Sequence, residues 1–346
     1  MNADLILYLI RGHPLHPPHP RTISKQISSP EQLASRDVSL YDNEWGTVIH
    51  PRRRVAVKRT FYSCLCLLVA ALPLHAQSDA HKAAIAYLQK LQADDGGFRA
   101  NARAEQSDLP ATTTAFRALK YLGAAPRNRE GCLAFVQKCF DKDNGGFAAR
   151  PGGKAEYRST AVGIMAVVDM KLPIKLYGEA IVKYLDVYSK TFEEIRLSAA
   201  SFEALGRRPP HAADWLAEIA KRRNPDGTYG KDGNMARETG SAVCAVLRLG
   251  DKVEHRDDVL RALNDGQRPD GGFGKAGAAV SDLETCYRIV RAFHMLKAKP
   301  RGSERLREFI ARCHNEDGGY GVAPGQPSNV SGCYYAAIIL HWLDEK

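Results

Sequence analysis

The stretch "SDLETCY", residues 281–287, sets the carboxylates of Asp282 and Glu284 beside the Cys286 thiol and the Tyr287 phenol. A carboxylate held in a cavity can act as general acid or base. A plainer reading makes Asp282 and Glu284 the acidic start of a helix, where they offset its dipole. Arg158 and Arg196 each precede a hydroxyl residue, Thr160 and Ser198, by two positions. Guanidiniums at helix N-termini suit an anion, because unpaired N–H groups and the helix dipole pull the same way. The alternative is ion pairing with the neighbouring Glu156 and Glu194. No Ser-His-Asp arrangement and no thioester motif is present. The six cysteines beyond residue 76 lack C-x-x-C spacing and fall in helical patterns, which marks them as small buried hydrophobes.

The elements that position these groups come from a repeat. An acidic, glycine-rich, aromatic turn recurs as "DDGGF", "DNGGF", "PDGTY", "PDGGF" and "EDGGY", its aromatic at Phe98, Phe147, Tyr229, Phe273 and Tyr320. One interval is nearly double, and a degenerate unit at 184–205 fills it with Phe192 in the aromatic place. Spacing of about 45 residues means stacked supersecondary units. Before each turn runs a one-faced amphipathic helix, such as "ADWLAEIAKRR". After it comes a helix apolar nearly all round, such as "CYYAAIIL", which must be buried on every side. Six units therefore predict two concentric layers of six helices. The first glycine is expected to end the outer helix in a left-handed conformation. Asp108, Glu156, Glu194, Asp282 and Asn329 are expected to cap the inner helices, with Arg237 as the exception. Aligned turn to turn, the inner helices place Pro110, Arg158, Arg196, Thr239, Glu284 and Ser331 in one ring. Thr112, Thr160, Ser198, Ser241, Cys286 and Cys333 form the next. GxGxxG spacing after a strand is absent, so the glycines read as structural rather than as a phosphate cradle.

The formal charge of +10 reflects dispersed Lys and Arg; with no nucleic-acid motif beside it, this predicts no nucleic-acid partner. Residues 1–50 read as disordered or untranslated, with translation starting downstream of Met1. Residues 51–76 pair a basic stretch with an apolar run ending at Ala76, the layout of a cleaved export signal. That predicts a periplasmic or extracellular mature part, residues 77–346; without cleavage it is cytoplasmic. The apolar run is too short for an ordinary membrane span, so the mature chain is not expected to be integral to a membrane.

The "DGGF" turns, the two-helix unit and the "TCY" at 285–287 resemble the prenyltransferase and squalene-cyclase repeat superfamily, over residues 78–346. The resemblance implies an all-α, (α/α)6 toroid around a central cavity. Its closest branch is the protein prenyltransferase β-subunit, geranylgeranyl- or farnesyl-type. That branch implies an isoprenoid-like apolar ligand or prenyl diphosphate in the cavity, and an α-subunit-like partner if the chain is a true prenyltransferase. It also implies zinc on Glu284 and Cys286, with Ser331 standing where the third ligand, a His, belongs. Two ligands hold a metal weakly. His294 and His341 lie about two helical turns too far along to complete the site. Lys231 and Lys275 match the basic residues the family places after its turns; Tyr287 and Tyr334 match its aromatic cavity wall. The D-x-D-D acid of triterpene cyclases is absent. Two alternatives stand beside prenyl transfer: an exported, non-catalytic toroid binding a lipid, glycan or peptide, and a cyclase or lyase using Glu284 or Asp282.

Overall fold

The computed structural model describes residues 74–345. The readings placed on residues 1–50 and on 51–73 lie outside them. Six outer helices, α1 (Leu74–Lys90), α3 (Arg129–Lys138), α5 (Gly178–Tyr188), α7 (Ala212–Ala220), α9 (Arg256–Asp265) and α11 (Ser303–Arg312), alternate with six inner ones. The inner helices are α2 (Leu109–Tyr121), α4 (Tyr157–Asp169), α6 (Phe192–Leu205), α8 (Met235–Arg248), α10 (Leu283–Met295) and α12 (Val330–Asp344). Burial follows the hydrophobic pattern. Outer α9 buries only Val259 and Leu263, whereas inner α8 buries a residue at most positions from Ala236 to Val246. Each inner helix packs on the next, and α12 packs back on α2, which closes the ring.

The turn motif positions this assembly in detail. The acidic residue accepts the N–H two positions on: Asp95 from Gly97 at 2.9 Å, Asp270 from Gly272 at 3.0 Å and Asp317 from Gly319 at 3.0 Å. The first glycine is left-handed, at φ +84° in Gly271 and +86° in Gly318. It lies inside the turn, beyond the end of the outer helix rather than at its cap. Its role is close approach as well as conformation. A methyl on Gly271 would stand 2.2 Å from the Arg305 carbonyl oxygen, and one on Gly318 would stand 2.9 Å from that of Ala83. The last turn thus sits on α1 and closes the outer layer too.

The turn aromatic is buried in every intact repeat, and its backbone N–H is received by a side chain of the following inner helix. Phe98 donates to Thr112 (2.8 Å), Phe147 to Thr160 (2.8 Å), Tyr229 to Thr239 (2.9 Å), Phe273 to the Cys286 sulfur (3.2 Å) and Tyr320 to that of Cys333 (3.3 Å). This corrects the expected register. Thr239, not Ser241, belongs with Cys286, because the fourth turn spans 10 residues to its acceptor where the fifth spans 13. Arg237 therefore occupies the Glu284 position.

The third repeat departs further. Phe192 is the first residue of α6, not a turn aromatic. With the turn compressed, Tyr157 from α4 reaches over and places its hydroxyl 2.7 Å from Ser198. Of the expected caps, Asp108, Asp282 and Asn329 accept helix N–H groups. Glu156 caps nothing with its side chain, and Glu194 serves as the third residue of a capping box begun by Thr191.

Candidate functional site at the bore

The N-terminal ends of the inner helices form the mouth of the bore. Their ordinary capping and closely spaced charges build a connected network there. Glu284 on α10 is bonded by Arg288 at 2.8 Å, by Arg237 of α8 at 3.2 Å and by Lys275 at 3.3 Å. Burial alone would push its carboxyl up, but the three cations, Arg288 first, outweigh burial and hold it below the usual carboxylate range. Arg288 continues to Glu193 of α6 at 3.1 Å, passing over α8, and Glu193 also pairs with Arg196 at 2.8 Å. Burial opposes the ionisation of Glu193, yet Arg196 and Arg288 bring its carboxyl to about 2. A cavity of about 230 Å³ opens at this network, lined by Phe192, Glu193, Arg222, Arg237, Ser241 and Arg288. The Arg237 Nε is buried there without a protein partner.

The sequence-derived residues divide on this geometry. Lys275, Glu284 and Arg196 belong to the network, though Arg196 pairs with Glu193 rather than with Glu156 or Glu194. Arg158 is exposed and has no ion-pair partner among the described residues, and Lys231 lines a separate cavity with Asn224, Asp232 and Asn234. The expected basic cluster is therefore not one cluster. Asp282 is spent as a cap: its carboxylate accepts the Thr285 N–H at 2.8 Å and the Thr285 hydroxyl at 2.9 Å.

Cys286 is fully buried against the Phe273 backbone, and burial pushes its thiol well above the ordinary value. A zinc ligand must be a thiolate, and Glu284 is already wrapped by three cations. The Glu284, Cys286 and Ser331 positions do not fit zinc. Among the described residues no three His, Cys, Asp or Glu side chains gather to hold a metal ion.

Deeper in the bore stand the aromatics. Tyr287, Tyr334 and Tyr335 pack tilted against one another with ring centres 5.1–5.7 Å apart, and Trp342 stacks on Tyr287 at 5.8 Å. Three guanidiniums that the sequence reading did not single out are interleaved with them. Arg291 lies 5.2 Å from the Tyr287 ring centre and 5.0 Å from that of Trp342; Arg117 lies 5.7 Å from Tyr334. Arg248 is bonded to Glu203 at 2.8 Å. A signal for these residues existed. Arg117, Glu203 and Arg291 each come five residues after a ring residue, Thr112, Ser198 and Cys286, as charges inside helices otherwise apolar all round.

The prenyltransferase alpha-alpha toroid domain matches residues 25–192 and 195–346, and the chain belongs to that family. Solved structures agree on the fold. The type II terpene cyclase MstE from Scytonema superposes with a TM-score of 0.55 at 9% identity, over 78% of this chain and 98% of its own. Candida albicans protein geranylgeranyltransferase-I complexed with GGPP gives 0.53 at 13% identity, over 78% and 86%. A glycosidase in complex with glucose gives 0.56 at 13%, over 79% and 99%. No curated protein sequence matches. At such identities the likeness establishes the toroid alone.

Proposed function

We propose that this chain is a ligand-binding toroid whose bore takes a molecule bearing an anionic group, with no part played by zinc. One observation carries the reading: the mouth cavity is lined by three guanidiniums, Arg222, Arg237 and Arg288, against two carboxylates, Glu193 and Glu238, and Arg237 keeps an unpartnered Nε. Glu284 and Asp282 are a charge-balancing carboxylate and a helix cap, so neither is free to act as a strong acid. The guanidiniums of the bore also disfavour a cyclase, because a carbocation intermediate would be repelled by them. A long alkyl chain is a poor guest for the same interior, since it would strip water from guanidiniums and return no hydrogen bond. A compact acidic ligand, such as an acidic sugar, meets none of these costs.

The aromatic wall of Tyr287, Tyr334, Tyr335 and Trp342 supports prenyl diphosphate as a second reading, and the fold relative carrying GGPP agrees with it. Calorimetric titration with geranylgeranyl diphosphate, inorganic pyrophosphate and a uronic-acid oligosaccharide separates the two. Binding of geranylgeranyl diphosphate far tighter than of pyrophosphate would establish the prenyl reading. Comparable binding of the small anions would establish the first, and no binding by any of them would end both. An exported setting for the mature part is proposed as well: fusing residues 48–80 to a reporter should send it out of the cytoplasm, and a cytoplasmic reporter would refute that.

A further inference from the structure

Below the mouth, the bore holds more positive than negative charge. Asp169 pairs with both Arg117 (2.9 Å) and Lys120 (2.8 Å). Glu203 bonds Arg248 at 2.8 Å and reaches Arg291 only at 4.0 Å. Leaving aside Lys120, which is exposed, three guanidiniums share two carboxylates. The shortage matters because these cations are not solvated freely: the Arg248 side chain is 4% exposed and that of Arg291 is 14% exposed. Buried charges ordinarily have partners. Burial and the neighbouring Arg291 together pull Arg248 below the usual guanidinium range.

Two polar groups near these cations are short of partners. The Arg291 Nε is buried with no hydrogen-bond partner, and the Tyr334 hydroxyl, on a residue only 6% exposed, has only the Tyr287 phenol close by. The Arg291 guanidinium meanwhile lies against both the Tyr287 and Trp342 rings, which stack on each other. A buried guanidinium N–H without a partner, near the Tyr334 phenol and among cations in excess and flat rings, describes a receptor for an oxyanion.

We propose that the middle of the bore is an oxyanion subsite, in which Arg291 and Tyr334, flanked by Arg117 and Arg248, receive a carboxylate or phosphate group whose flat body lies against Tyr287 and Trp342. The inference rests on the bore being the ligand site and says what enters it. The subsite is distinct from the mouth: Arg291 lies three residues beyond Arg288, about 4.5 Å deeper along α10.

The test uses the full chain with two probes, benzoate for a carboxylate on a ring and inorganic pyrophosphate for a phosphate. Binding is followed by fluorescence of Trp342, with Trp342→Phe identifying its signal. Tyr334→Phe removes one hydroxyl, whose only close protein group is the Tyr287 phenol, so it should keep a single cooperative unfolding transition while weakening at least one probe about tenfold. Arg291→Gln should weaken that probe about 10- to 100-fold, the range for a charge-assisted hydrogen bond. Arg237→Gln reports on the mouth. Loss of binding in Arg237→Gln with Arg291→Gln and Tyr334→Phe at wild-type affinity overturns the subsite and leaves the mouth reading standing. The reverse pattern establishes the subsite and removes the mouth. Failure of wild type to bind either probe overturns the subsite. Should Arg291→Gln not fold, Tyr334→Phe alone decides.

Discussion

The Cys286 sulfur accepts the Phe273 N–H, and this one contact changes what the "ETCY" stretch means. A thiol doing the work that Thr112 and Thr160 do elsewhere is a structural hydrogen-bond partner. Native protein should therefore resist alkylation at all six cysteines beyond residue 76, every one of which is buried, and react only after denaturation; rapid native labelling of Cys286 would contradict this. Glu284 makes a second case. Glu284→Gln leaves Arg237, Arg288 and Lys275 short of a partner and should cost about 1–2 kcal/mol in urea unfolding, between the exposed and buried ion-pair limits. The deficit should be full above the ordinary carboxylate range and vanish as pH falls through the depressed value of Glu284. The same substitution should tighten pyrophosphate binding at the mouth, by freeing cations. Tyr287 has the opposite window. Burial raises its phenol, but Arg291, Arg248 and Arg117 outweigh burial and bring it below the usual tyrosine value. Its ionisation therefore adds stability in the alkaline range, and that stability is lost as pH falls through the lowered value. The difference in stability between wild type and Tyr287→Phe should grow with pH; a flat difference would show the guanidiniums do not act on it.

The turn-and-helix unit was legible because two physical demands recur at fixed spacing. The turn needs a left-handed residue with no side chain, and the next helix needs a hydrogen-bond partner for the turn aromatic. Gly271→Ala should be severely destabilising, by more than the roughly 1–3 kcal/mol of backbone strain alone, because its methyl would overlap the Arg305 carbonyl. Gly123, at φ +66° with open space around it, isolates that strain and should lose only about 1 kcal/mol as Ala. Equal losses at both sites, read from chemical denaturation, would mean that packing of the turn on the next outer helix contributes nothing. The register of α8 and the third repeat were less legible. The shortened turn keeps its composition but takes Thr239 as its acceptor, two residues before the expected Ser241. The aromatic of "KTFEEI" resembles a turn residue until the capping box of Thr191 and Glu194 claims that stretch for the helix. In both places a local hydrogen bond outranked the alignment of similar letters.

At the scale of the whole molecule, closure is the decisive event: α12 meets α2, and the last turn meets α1. Deleting residues 330–346 should remove a wall of the bore and abolish cooperative unfolding. A truncated chain that still melts in one sharp transition would show that the ring does not depend on its closure. Exhaustive chelation should leave the melting temperature of the intact protein unchanged, since among the described residues no side-chain group fits a structural metal. By itself the sequence determined the repeat and the two layers, because hydrophobic periodicity and turn chemistry act over a few residues and leave their mark locally, and its turn motif carried the resemblance that implied the toroid. It also marked the bore with charges inside apolar helices. Only the tertiary structure decided the site. Glu193 meets Arg288 across 95 residues, and Arg117, Arg248 and Arg291 come from three separate repeats. Which cation finds a carboxylate, and which is left over, depends on how six helices close around a common axis, and no stretch of chain contains that information.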